Sequence, residues 1–268
     1  MKIYTKTDIK EQLKAMNAPK DSVVMVHASL RLVGEVEGGG EALLDALIEY
    51  FTEEGGLLCV PTHTWGNLGK DKITLDMTKG ESNLGAFAVI AANDNRGVRS
   101  ENPTHSVVVF GDREKAEELI AGEADVIMPT TADGVYGKLY TMGGKVLLMG
   151  VCQNKNTYLH AVAEILDIKN RRGYIPVPVS TKKENGEIIK RDILLFDEDG
   201  CGDVSLRFPK YDTAFRYHGA ITDGFVGRAP TQLCDAVIMK KTVELIFKNS
   251  GGVDPLIDEK PIPPKWYV

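Results

Sequence analysis

The sequence predicts an α/β protein with a mixed central sheet, helices on both faces and an antiparallel extension from its C-terminal half. Three observations carry this. Short apolar runs ("SVVMVHASL", "GLLCVPTHT", "HSVVVFG" and "KVLLMGV") have the length and composition of buried strands. Segments of helical length and periodicity alternate with them, the pattern of helices packed against a sheet. After about residue 172 the alternation gives way to hairpin-like runs, which can add antiparallel strands to the sheet.

The elements follow in order. "TKTDIKEQLKAMNAP" has an apolar stripe of Ile9, Leu13 and Met16, with Thr7 or Asp8 placed to cap a helix. The strand "SVVMVHASL" leads into a glycine-rich loop, "RLVGEVEGGG", and then a helix, "GEALLDALIEYFTE", stopped by Gly55 and Gly56. "GLLCVPTHT" is the next strand. Residues 65–83 are polar and irregular and read as a long loop. "NLGAFAVIAAND" reads as a helix, "HSVVVFG" as a strand and "DREKAEELIAGEA" as a charged helix. "GVYGKLYTMGG" is a helix with a glycine stop, "KVLLMGV" a buried strand, and "TYLHAVAEILDI" the helix close behind it. "YIPVPVSTKKENGEIIKRDILLF" reads as two strands turning at Asn185–Gly186. "YDTAFRYHGAITDGFVGRAPTQLCDA" mixes short strands and turns, and "AVIMKKTVELIFKNSGG" is the last helix. Residues 255–268 are proline-rich and are expected to be a loosely ordered tail, with Trp266 and Tyr267 available to dock it. With no repeat, low-complexity linker or break in character, residues 1–268 read as one domain.

Composition narrows the function. The chain has 268 residues, 43% of them hydrophobic and 26% charged, with a formal charge of −6, values ordinary for a soluble globular protein able to bury a large core. Without a basic run, nucleic acid and anionic membrane are poor partners. No apolar run approaches a membrane span, and the charged N-terminus lacks a signal core, so a cytoplasmic protein is expected. Cys59, Cys152, Cys201 and Cys234 are widely spaced with no CxxC pair, which reads as buried free thiols rather than a zinc or redox site.

Ligands of α/β sheets sit beyond the carboxyl ends of strands. His27 and His63 fall at such ends, His160 lies in the helix after "KVLLMGV", and His105 just ahead of a strand. The loop "HASLRLVGEVEGGG" ends in three glycines before a helix, where backbone amides can approach a ligand. It matches neither a Walker A loop nor a dinucleotide fingerprint, and a flexible helix entry explains it equally. In "NTYLHAVAE", Thr157, His160 and Glu164 share one helix face. An imidazole there can take a proton, a carboxylate can orient it and a hydroxyl can donate to an oxyanion. The plain alternative is an N-cap threonine and an ordinary i,i+4 pair.

Taken together and in order, "VMVHASLRLVGEVEGGGEALLDALIEYFTEEGGLLCVPTHT", "ENPTHSVVVFG", "GVYGKLYTMGGKVLLMGV" and "NTYLHAVAE" resemble the aminoglycoside N3-acetyltransferases, also called antibiotic N-acetyltransferases. The resemblance runs from about residue 5 to 250. It implies the antibiotic N-acetyltransferase fold, distinct from the common small acetyltransferase fold. It also implies acetyl-coenzyme A as donor, no metal, and a cationic small molecule, the 3-amino group of a deoxystreptamine ring, as acceptor. Carried over by motif, His160 is similar to the catalytic base, Glu164 to its supporting carboxylate and Thr157 to the threonine near the reacting thioester. Ser29, Leu30, Val36 and Gly38 match the loop along the pantetheine arm, and His105 and Ser106 match the central "HS" motif near the same coenzyme. A homodimer is a possible assembly. One departure is Asn102 in "ENPTHS", where relatives often carry histidine. The competing readings are the same fold and donor with another acceptor amine, a metal-dependent hydrolase built on His27, His63, His160 and Glu164, and a non-catalytic coenzyme A-binding protein.

Overall fold

The computed structural model describes residues 2–69, 72–196 and 203–268. Along the first half run α1 (Lys6–Ala15), β1 (Val23–Ala28), α2 (Leu30–Val33), α3 (Gly39–Phe51), β2 (Leu57–Pro61), β3 (Leu75–Asp76), α4 (Ala86–Asn93), β4 (Val98–Arg99), β5 (Val107–Phe110) and α5 (Arg113–Ile120). The second half holds α6 (Val135–Thr141), β6 (Lys145–Met149), α7 (Tyr158–Ile165), β7 (Val177–Lys182), β8 (Ile188–Ile193), α8 (Asp212–Tyr217), β9 (Ile221–Val226), β10 (Ala229–Asp235) and α9 (Ala236–Asn249).

Seven strands form the main sheet in the order β4-β5-β2-β1-β6-β10-β9. Parallel pairing is confined to β2–β1 and β1–β6; β5 and β10 join them antiparallel from either side, and β4 and β9 pair antiparallel with those two at the edges. The mixed sheet is therefore as expected, and β10 with β9 supplies the antiparallel extension. The Asn185–Gly186 hairpin is also present, Val177 pairing with Ile193 and Lys182 with Ile188. It does not extend the main sheet, however, but forms a second, three-stranded sheet with β3. The segment read as a long loop holds β3 and a short 3-10 turn at Trp65–Asn67, and positions 70 and 71 lie outside the described residues.

Strand alternation divides the core in two. Val24, Val26, Leu58 and Val60 pack with α1, α3 and α4, whereas Val23, Met25, Leu57, Cys59, Val107 and Leu148 pack with α5, α6, α7 and α9. Three local expectations change. The cap of α1 is Thr5, in a reciprocal capping box with Asp8, because both side chains reach each other's backbone amides. Part of the glycine-rich loop coils into α2. The tail is docked: Leu256, Ile262 and Tyr267 are buried, burial that a loose tail would forgo. Cys59 and Cys234 are buried as expected, but Cys152 is exposed; Cys201 lies outside the described residues.

Candidate active site

Strand direction assembles the histidines. His27 is on β1 near its carboxyl end, and His63 follows β2 by two residues. Because β5 runs antiparallel to β2, with Pro61 opposite Val107, the start of β5 lies beside the end of β2. This carries His105 and Ser106 to the same edge. Counting by twos, His27 keeps the parity of Met25, His63 that of Cys59, and His105 that of Val107, all on the face that α7 covers. The His63 and His105 rings stand 4.1 Å apart between centroids. His160 reaches the group from α7 through Phe196, whose ring lies 3.9 Å from the His160 ring, nearly parallel at 9°, and 5.5 Å edge-on to His105.

The surroundings keep these imidazoles neutral. Burial pushes His27 down to about 4 and His105 to about 3. His63 and His160 are held well below the ordinary histidine value, chiefly by burial, then by the cost of protonating beside the His105 ring, and for His160 also by the Arg171 charge. A neutral imidazole has a lone pair that can accept a proton, although the same burial that keeps His160 neutral also makes it a weaker base.

His63 Nε2 lies 2.7 Å from the Tyr136 hydroxyl, which also donates to the His105 carbonyl at 3.2 Å. A hydroxyl has one proton and a carbonyl only accepts, so with both bonds made His63 carries its proton on Nε2 and donates to Tyr136. Tyr136, unremarked in the sequence, thus ties α6 to both histidine loops. Asn102 is a second fastener. It is buried, donates to Glu123 Oε2 at 2.8 Å and to the Pro129 carbonyl at 3.0 Å, and accepts from the His105 amide at 2.9 Å. Glu123 in turn accepts from the Val135 amide, at the first residue of α6, at 2.7 Å. The departure at position 102 therefore acts inside the protein, holding the backbone of His105.

The remaining expected residues divide. Thr157 precedes α7 but makes no side-chain capping bond, and among the described residues no hydrogen bond joins Glu164 to the His160 ring. Neither half of the plain alternative, cap or i,i+4 pair, is formed. Glu164 instead accepts from Arg172 Nη2 at 2.6 Å, a charge-assisted bond with which a neutral imidazole competes poorly. Ser106 is fully buried, its hydroxyl donating to the Thr62 carbonyl at 2.9 Å and accepting from Arg99 Nε at 3.3 Å, so its polar atoms are engaged within the sheet. Ser29 opens α2 without a capping bond. Val36 is buried and bridges to Tyr4. Gly38 has φ +81° at the entry to α3, where an added Cβ would lie 2.9 Å from that of Ala42. A side chain at this position would be strained in backbone and crowded by Ala42, so the entry to the 13-residue helix α3 is built for glycine.

Among the described residues no group of three or more His, Cys, Asp or Glu side chains is arranged to hold a metal ion, and no helix is long and apolar enough to cross a membrane. Two members of the hydrolase ligand set are otherwise engaged, Glu164 by Arg172 and His63 by Tyr136.

The family model described as aminoglycoside 3-N-acetyltransferase matches residues 25–248. Aminoglycoside N(3)-acetyltransferase III of a Salmonella species is 26% identical over 282 aligned positions, covering 95% of each chain. The SPbeta prophage-derived aminoglycoside N(3')-acetyltransferase-like protein YokD of Bacillus subtilis is 30% identical over 176, covering 58% of this chain and 63% of that one. Two solved structures share the fold. One is a histidine-to-alanine variant of aminoglycoside acetyltransferase AAC(3)-IVa in complex with a gentamicin, with a TM-score of 0.76 at 23% identity over 97% of this chain and 93% of that one. The other is AAC-IIIb as a binary complex with CoASH, with a TM-score of 0.74 at 23% identity over 90% and 94%.

Proposed function

Since the chain belongs to the aminoglycoside 3-N-acetyltransferase family, we propose that it transfers an acetyl group from acetyl-coenzyme A to the 3-amino group of a deoxystreptamine aminoglycoside, with His160 as general base. The observation that carries this reading is the environment of His160. It is a neutral imidazole at the carboxyl edge of the parallel strands, one helical turn from a Thr157 hydroxyl left out of capping.

In the proposed reaction the acceptor nitrogen attacks the thioester carbonyl, and His160 takes the proton released from that nitrogen. The carbonyl oxygen gains the negative charge, to which the Thr157 hydroxyl donates. As the tetrahedral intermediate collapses, the C–S bond breaks, and the His160 imidazolium returns its proton to the departing thiolate. The products are the N-acetyl amine and free coenzyme A, with no acetyl-enzyme. Ser29, Leu30, Val36 and Gly38 line the coenzyme, and His105 stands beside it with Ser106 holding its loop from within. The AAC-IIIb complex with CoASH supports the donor, and the AAC(3)-IVa complex with a gentamicin supports the acceptor class. The reading takes residues 1–268 as one domain acting in the cytoplasm, where acetyl-coenzyme A is made.

One observation favours a second acceptor. Three carboxylates in segments that carry site residues are paired, Glu164 with Arg172 at 2.6 Å, Glu101 with Lys183 at 3.5 Å and the exposed Asp125 with Arg191 at 3.8 Å. A polycation is best met by free carboxylates, so an amine of lower charge is the alternative. Thiol release from acetyl-coenzyme A, measured with a panel of deoxystreptamine drugs and simple amines against a His160→Ala control, tests both. Rapid release with the drugs, lost in the variant, is the expected result. Release only with monoamines selects the alternative, and an undiminished rate in His160→Ala removes the base assignment.

A further inference from the structure

We infer that Phe196 is a positioning residue that holds the His160 imidazole in its working orientation by stacking, and that Glu164 serves the ring indirectly, by seating Phe196 through Arg172. This rests on the reading of His160 as the base.

A catalytic imidazole needs its ring plane fixed, since the torsion that sets it has broad, shallow minima. A carboxylate bonded to one ring nitrogen commonly fixes it. Here Glu164 is taken by Arg172, and among the described residues no hydrogen bond reaches either His160 ring nitrogen. Two phenyl rings hold the imidazole instead. Phe196 covers one face at 3.9 Å and 9°, and Phe208 meets the ring at 4.9 Å and 69°. Proton transfer uses the nitrogen lone pairs, which lie in the ring plane. A ring stacked on the face therefore restrains the imidazole without covering the atoms that react.

Phe196 is itself held in place. Its backbone forms an antiparallel bridge with Arg172, and the neighbouring Gly173 amide donates to the Leu195 carbonyl at 2.9 Å. A Cβ at Gly173 would lie 2.7 Å from that carbonyl oxygen, so the approach of the two segments requires glycine. Arg172 is anchored by Glu164, one turn along α7 from His160. The path from Glu164 through Arg172 and Phe196 returns to the helix at His160.

The charged and titratable groups around His160 are His105 and His63 from the strand edge, Arg171 and Arg172 from the turn after α7, and Glu164 on its own helix. Burial, to which the Phe196 ring contributes, disfavours the imidazolium, and so do His105 and Arg171. Removing that ring admits water to one face and frees the torsion.

The test is the titration of the His160 ring, followed by NMR in the full chain labelled at histidine and assigned with His160→Ala, beside the pH dependence of kcat/KM. Phe196→Ala is expected to raise the His160 midpoint toward the ordinary histidine value, to move the acid limb of the rate profile with it, and to lower kcat about tenfold. Phe196→Tyr should restore all three and Phe196→Leu should not, because leucine keeps the site apolar but cannot stack. Gly173→Ala, which displaces the ring from the other segment, should reproduce Phe196→Ala and guards against a folding defect in either. An unmoved His160 midpoint in both variants overturns the inference. So does equal rescue by leucine and tyrosine, or a larger shift in Glu164→Gln than in Phe196→Ala. A midpoint that moves while the rate profile stays fixed supports the stacking role and removes His160 as the base, so the two readings fail separately.

Discussion

Lowering the pH from 7.5 to 5.0 should destabilise this protein well before its carboxylates titrate. His27 and His63 are 7% and 3% exposed, and both are neutral in the folded state, His27 down to about 4 and His63 well below the ordinary value. In the unfolded chain each titrates near 6.5. Between 6.5 and the folded value the unfolded state therefore binds more protons, and stability falls as pH falls. At about 1.36 kcal/mol per pH unit per group, the 1.5 units from 6.5 to 5.0 amount to about 2 kcal/mol for each histidine, or about 4 kcal/mol together. His105 and His160, partly reached by solvent, add in the same direction. At roughly 2–4 °C per kcal/mol for a chain of this size, Tm should fall by roughly 8–16 °C. Asp8 is lowered by its bonds to Thr5 and Lys2, and Asp254, against its burial, by Arg171; both lose their contribution only below the ordinary carboxylate range and leave this window to the histidines. Glu123, raised by burial, works in the opposite sense. A variant separates the effects: His27→Gln replaces a ring whose buried Nε2 has no partner and cancels one histidine's share. Thermal unfolding of both proteins across the range should give curves that converge by about 2 kcal/mol toward pH 5. Parallel curves, or a flat wild-type profile, would refute the assignment of neutral buried histidines.

Three further outcomes follow from the same contacts. Asn102→Ala strips Glu123 of a side-chain donor and should cost about 3 kcal/mol in urea unfolding; a double-mutant cycle with Glu123→Gln should give a coupling of at least about 1.5 kcal/mol, and additivity within about 0.5 kcal/mol would remove the link. Thr157→Val should lower kcat by about tenfold to a hundredfold with Tm unchanged, whereas a stability loss of about 1 kcal/mol would mark the hydroxyl as a cap after all. Arg171→Met leaves the buried Asp254 without its 2.5 Å partner and should destabilise by about 3–5 kcal/mol, most of it recovered by adding Asp254→Leu; equal single and double variants would contradict that account.

Much of the frame is legible in the sequence, because strand and helix periodicity are local. Each apolar run read as a strand is one, but parity along "VVMVHA" and "LLCVPTH" only groups His27 with Met25 and His63 with Cys59; that the two share a face is set by the β1–β2 register, Met25 opposite Cys59. His105 is less legible, since its place at the same edge depends on β5 running antiparallel to β2, a pairing no local pattern encodes. The separate hairpin sheet has the same cause: the turn at Asn185–Gly186 fixes the pairing of β7 with β8 but not the partner of β7, which is the two-residue β3.

The partners within the site were the least legible. Helical spacing set Glu164 beside His160, yet spacing states only which groups can meet. Which do meet is decided by competition, and Arg172, eight residues on, offers a full positive charge where the imidazole offers none. Phe196 comes from farther still, at the end of a run whose apolar residues read simply as strand. His160 and Thr157 keep side chains that the protein's own structure leaves unspent, while Ser106, Asn102 and Glu164 spend theirs on the scaffold that holds the others. A short motif here mixes groups free to react with groups that build the edge on which they stand, and only the hydrogen-bond inventory separates the two.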